Sequence, residues 1–95
     1  MILDQFVYAP ECAVIFTYSF DTDASVFLFD KEEDALTFLR ESYDEECRIE
    51  REENGWEIES EISTDGRYAR IVYRPDEISE DVCEYHLVSI VYKKK

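Results

Sequence analysis

Three features of this 95-residue chain involve side chains that can do chemistry: a cysteine near the only histidine, an aspartate-rich turn, and many carboxylates. Cys83 and His86 would make a nucleophile and base if the imidazole could take the thiol proton. On a β-strand, however, side chains three residues apart leave opposite faces, so these two do not meet. No further residue supplies a group to orient the imidazole. The stretch "DTDAS" followed by Glu32 sets oxygen donors at Asp21, Asp23, Ser25 and Glu32, relative positions 1, 3, 5 and 12 of a calcium loop. The sixth position of such a loop needs Gly for its sharp turn. Here it is Val26, followed by strand-like "FLF", so an ordinary Asp-rich turn is expected. The carboxylates recur everywhere and carry no acid–base signal without a cleft to perturb them. The chain contains no Gly-rich phosphate loop, no serine nucleophile motif and no basic aromatic patch. These residues predict a protein that is not an enzyme and that uses neither a metal nor a cofactor.

Charge is the stronger signal. The chain carries 24 acidic against 10 basic residues, a formal charge of −14. Residues 1–30 hold five acids and no Lys or Arg, residues 31–61 hold thirteen acids and four bases, and residues 62–95 hold six of each. Such a field repels nucleic acid and anionic membranes and favours encounter with a basic protein surface. Cys12, Cys47 and Cys83 form no CxxC pair and no zinc spacing, which predicts free, mostly buried thiols. With no signal-peptide pattern and no long apolar run, a cytoplasmic, reducing setting is expected.

The elements that must position these side chains follow from periodicity. In "CAVIFTYSF" the residues Cys12, Val14, Phe16, Tyr18 and Phe20 share one parity, a strand with one buried face. "SVFLF" is apolar on both faces and predicts a central or covered strand. The opening "MILDQFVYAP" reads as a further edge strand ending at Pro10. At Asp30 the period changes: Asp30 and Glu33 have capping-box spacing, and Ala35, Leu36, Leu39, Tyr43 and Cys47 recur at helical intervals. For residues 46–52 two alternatives stand. Asn54-Gly55 ends a helix reaching about residue 52, or it forms a hairpin turn with "CRIERE" as a strand; the Glu and Arg content favours the helix.

In "WEIESEISTDGRYARIVYR" the residues Trp56, Ile58, Ser60 and Ile62 share one face, and Glu57, Glu59 and Glu61 share the other. A two-residue turn at Asp65-Gly66 sets Ile62 opposite Ala69, Ser60 opposite Ile71 and Ile58 opposite Tyr73. On the outer face Glu61 then meets Arg70 and Glu57 meets Arg74, leaving Glu59 beside Val72 and unpaired. After a loop at "RPDEISED", "VCEYHLVSIVY" is the last strand. The expected fold is a single α+β domain over residues 1–95, ββαβββ, an antiparallel sheet of about five strands with one long helix on one face.

On the helical wheel Asp34, Glu41, Glu45 and Glu52 lie opposite the apolar stripe, with Arg48 as the only base and Phe38 and Ile49 on the same outer side. Acids around apolar anchors make a candidate protein-binding face, to which the turn acids Asp21 and Asp23 add charge. Over residues 27–73, most specifically in "EENGW" and "ISTDGRYARI", the chain resembles small, acidic, uncharacterised single-domain proteins of bacteria and their mobile elements. In size and charge it is also similar to phage inhibitors of host defence, the DNA-mimicking anti-CRISPR and anti-restriction proteins. That likeness implies a non-enzymatic inhibitor whose carboxylates occupy the basic nucleic-acid groove of a nuclease. The competing expectation is an ordinary interaction or assembly domain that binds through Phe38 or an exposed sheet edge.

Overall fold

Alternation along the strands decides which face each side chain takes, and the helix then closes one of those faces. The structure, a computed structural model, describes residues 9–92. Its elements are β1 (Cys12–Tyr18), β2 (Ser25–Phe29), α1 (Glu32–Arg48) continued by a π-helical turn (Ile49–Glu53), β3 (Glu57–Ile62), β4 (Tyr68–Arg74) and β5 (Asp81–Ser89). All pairings are antiparallel, and the strand order is β2-β1-β5-β4-β3. This is the expected ββαβββ arrangement. The proposed edge strand at the N-terminus lies almost wholly outside the described residues.

The core forms where the inward-facing residues of each strand meet the helix stripe. Val14 of β1, Ile71 of β4 and Cys83, Tyr85 and Leu87 of β5 are buried in one cluster with Ala35, Leu39, Tyr43 and Cys47 of α1. Leu39, Ile71, Val14, Cys12 and Cys83 are the largest side chains to be fully enclosed. At the helix start the expected capping box does not form. Lys31 occupies the N-cap position with extended backbone and no side-chain cap bond, one residue beyond Asp30. Glu32, Glu33 and Asp34 complement the helix dipole from the first turn instead, and Arg67 of the β3–β4 loop bonds Glu32. At the other end the helix alternative holds. The Asn54 N–H bonds the Ile49 carbonyl five residues back at 3.0 Å, and Gly55 takes the left-handed φ of 67° that lets the chain turn away.

The β3–β4 register is the one selected by the apolar pattern, with Ile62 opposite Ala69, Ser60 opposite Ile71 and Ile58 opposite Tyr73. Its turn differs from expectation. A two-residue type I′ turn needs positive φ at both central residues, but only Gly66 (φ 75°) has it and Asp65 does not. The chain instead makes a turn closed by Gly66 N–H to the Ser63 carbonyl (2.9 Å), inside a Ser63–Tyr68 backbone bond of 2.8 Å. The Asp65 carboxylate stabilises it by accepting from Ser63 Oγ and Arg67 N–H. Four loop residues therefore replace two without changing the register.

The expectation for "SVFLF" is overturned. Among the described residues β2 is an edge strand, and Val26, Phe27 and Leu28 are 56%, 40% and 47% exposed. An apolar pattern on both faces identifies a strand that gains from being covered, but the place of a strand in the sheet is set by the connections around it. The central position goes to β5 because β1 and β4 both pair with it. Replacing Leu39 with Ala removes the most enclosed part of the helix stripe. It should lower the unfolding free energy by about 2–5 kcal/mol, measured by urea denaturation, whereas Ile78→Ala in the exposed β4–β5 loop should change it by no more than about 0.5 kcal/mol.

Candidate functional site

The side chains singled out by type do not converge on chemistry. Cys83 is buried under α1, while His86 lies on the opposite face of β5, with its ring 4.9 Å from that of Tyr68. All three cysteines are free and buried. Burial, reinforced by the nearby Glu46 carboxylate, pushes the Cys83 thiol up to about 12, and burial raises Cys12 and Cys47 as well. Thiols held protonated in this way are poor nucleophiles. Among the described residues no three His, Cys, Asp or Glu side chains sit where they could hold a metal ion, and no helix is long and apolar enough to cross a membrane.

The acids expected to bind a partner are spread along the molecule. Asp34 and Glu41 are exposed on α1, and no cation pairs with them among the described residues. Glu45 and Glu52 are exposed but held by Arg48, which also reaches Glu53. Phe38 is half-buried and is not an exposed anchor: the rings of Phe27 and Phe29 lie 4.8 and 5.2 Å from it. Ile49 is half-buried at the start of the π turn. Asp21 and Asp23 are exposed in the β1–β2 turn, where Asp21 accepts the Asp23 N–H. That turn lies at the sheet end reached by the C-terminal part of α1, so Asp34, at the helix start, stands a helix length away, about 25 Å. On the β3 comb the partners are exchanged. Arg74, directly opposite Glu57, reaches diagonally to Glu59 (3.4 Å) and to Glu80 (3.1 Å), while Glu57 and Glu61 have no ion pair among the described residues. Long side chains on twisted strands commonly reach the diagonal neighbour.

A site that sequence reasoning missed lies between the end of α1 and the sheet. Tyr18 and Phe20 from β1 and its turn stack with ring centroids 4.8 Å apart, and Trp56 and Tyr73 stack at 5.6 Å with nearly parallel planes. β5 separates the two pairs. With Glu46, Glu50, Asn54 and Asp81 they line a cleft of about 460 Å³ that includes no Lys or Arg among the described residues. The Tyr18 hydroxyl donates to Glu46 Oε1 at 3.2 Å, anchoring the helix to β1. Glu50 is only 5% exposed; Asn54 Nδ2 donates to its Oε1 at 3.2 Å, and its Oε2 is buried without a partner. Burial first, and then the Glu46 charge, raise the Glu50 carboxyl above its ordinary 4.5, with the Asn54 amide opposing. Burial and neighbouring acids also raise the Tyr18 and Tyr73 hydroxyls. A hollow of about 300 Å³, lined by Phe16, Phe27, Phe38 and Tyr85, shares Tyr18 and Glu46 with this cleft.

A signal for Glu50 was present in the sequence: it follows Cys47 by three residues and Tyr43 by seven, the inward side of the helix. Tyr73 and Asp81 converge on it only through sheet order. Because the folded chain holds the Glu50 proton more tightly than the unfolded chain does, the cost of burying this carboxylate is absent below pH 4.5 and grows as pH rises through the folded value. Glu50→Gln should therefore raise the thermal midpoint at pH 7, and the gain should vanish below pH 4.5. Equal midpoints for the two proteins at both pH values would show that the carboxylate is not strained. Alkylation of Cys83 by iodoacetamide at pH 8 should require unfolding, which mass spectrometry of the native and urea-treated protein resolves. No protein-family model, curated protein or solved structure matches the chain.

Proposed function

We propose that this is a non-enzymatic binding protein that engages a basic surface of a partner protein, with the C-terminal half of α1 and its neighbouring cleft as the contact. The observation that carries the reading is the carboxylate set Glu46, Glu50 and Asp81 around an aromatic-lined cleft with no cation among the described residues, in a chain of formal charge −14. A fold kept only for solubility places its acids in water; here one is buried with an oxygen left unpaired. Asp34 and Glu41 extend the negative field along the helix and would steer a basic partner toward it. In the finer form of the proposal, the partner is a host-defence nuclease whose nucleic-acid groove these acids occupy, as in the DNA-mimicking inhibitors of phage.

A second reading has its own support in the exposed apolar edge of β2, to which another chain could add a strand through Val26, Phe27 and Leu28. Purified protein titrated against a candidate nuclease separates the two. Charge-driven binding should weaken by more than about tenfold between roughly 50 and 200 mM salt, and duplex DNA should compete with it. Affinity that stays level across that range, together with its loss in a Val26→Lys/Leu28→Lys variant, would replace the first reading with the second.

A further inference from the structure

We infer that the cleft between the end of α1 and strands β1 and β4 is a receptor for a single cationic side chain, an arginine or lysine of the partner protein. The inference rests on the binding reading above for the source of the cation, but the chemistry of the pocket stands on its own geometry. Aromatic faces carry negative potential, and cations settle over them within about 6 Å of a ring centre. Here Tyr18 and Phe20 come from one side of β5, and Trp56 and Tyr73 from the other. Glu46, Glu50 and Asp81 supply the counter-charge within the same walls. The volume, about 460 Å³, falls within the range of about 300–1,000 Å³ typical of ligand sites.

The unpaired Glu50 Oε2, beside Glu46, is satisfied either by a proton shared between the two carboxyls or by an incoming cation that takes the place of that proton. Buried polar atoms are almost always satisfied, and a carboxylate oxygen can only accept unless it is protonated. Arg48 is held by Glu45, Glu52 and Glu53 and Arg74 by Glu59 and Glu80, while Arg51 lines a separate hollow with Cys47 and Ser60. An incoming N–H donor would satisfy Glu50 Oε2 while its alkyl stem lies along the rings. The π turn contributes to this arrangement, since Glu50 and Asn54 both lie at its ends and Trp56 follows directly, its N–H bonded to the Glu50 carbonyl at 2.8 Å. Metal binding is the poorer fit, because the acids do not converge at ligand spacing.

Trp56 is the only tryptophan in the chain and lines the cleft, so its fluorescence reports occupancy directly. The probes are N-acetyl-arginine amide and N-acetyl-lysine amide, with N-acetyl-citrulline amide as a neutral isostere and sodium chloride at matched ionic strength as a salt control. Saturable changes are expected with the arginine or lysine amide and not with citrulline amide. Glu50→Gln should weaken the binding by at least about tenfold, whereas Glu61→Gln, exposed on β3 and outside the cleft lining, should leave it unchanged. Equal responses to arginine and citrulline amides, no saturable response to either cationic amide, or unaltered binding by Glu50→Gln would each overturn the inference. Circular dichroism of each variant confirms that it is folded, and Glu46→Gln provides a second loss of charge should Glu50→Gln alter the fold. These titrations use no partner protein. Their failure alongside salt-sensitive nuclease binding would remove the pocket but keep the acidic-surface reading; the reverse result would remove that reading and keep the pocket.

Discussion

The helix stripe Ala35, Leu39, Tyr43 and Cys47 is buried in one cluster with β1, β4 and β5, and the remaining structure is arranged around that contact. A helix is about 10–12 Å across with its side chains, whereas five strands spaced about 4.8 Å apart span roughly 19 Å. One helix therefore closes the middle of the face and leaves both margins to large side chains. On the β2 side Phe27 and Phe29 rise against Phe38. Toward the C-terminal end of α1, aromatic residues from β1 and from β3–β4 stand apart across β5, and the cleft lies where the helix cover ends. The binding site proposed for this protein is thus a consequence of covering a wide sheet with one helix.

Glu50 shows how such a margin is used. A buried carboxylate beside another acid opposes folding, and hydrophobic residues of similar size would serve stability better. The chain instead keeps a carboxyl group there, with one oxygen bonded to Asn54 and the other without a hydrogen-bond partner. Strain of this kind is commonly concentrated where a ligand is bound, and the surrounding core supplies the stability that offsets it. The Tyr18–Glu46 hydrogen bond and the glycine turn after Asn54 hold the carboxylates in place from two directions.

Electrostatics in the rest of the molecule follow side-chain reach more than sequence count. Arg48 gathers three glutamates around one guanidinium, and Arg74 draws Glu59 and Glu80 together across a loop. Exposed pairs of this type contribute little to stability, yet they redistribute the field. They partly neutralise the end of the outer helix face, while the cleft beside it stays uniformly acidic. The open face of the sheet differs again: Val26 and Leu28 at the β2 edge are exposed apolar residues, while β3 at the other edge presents glutamates. Only the latter edge has the charged protection against strand addition that soluble sheets usually show.

Periodicity in the sequence was enough to determine the element order, the helix stripe and the β3–β4 register, because a one-residue slip would have put Ile71 and Tyr73 among the glutamates. It also separated Cys83 from His86, since strand parity is a local property. Tertiary structure alone decided that β2 lies at an edge, that Phe38 is covered by Phe27 and Phe29, that Arg74 bonds Glu59 in place of Glu57, and that Tyr18, Trp56, Tyr73 and Asp81 gather around Glu50. Each of these depends on which strands become neighbours and how long side chains cross a twisted sheet. Those are long-range facts, whereas local alternation assigns a residue to a face and leaves open what stands across from it.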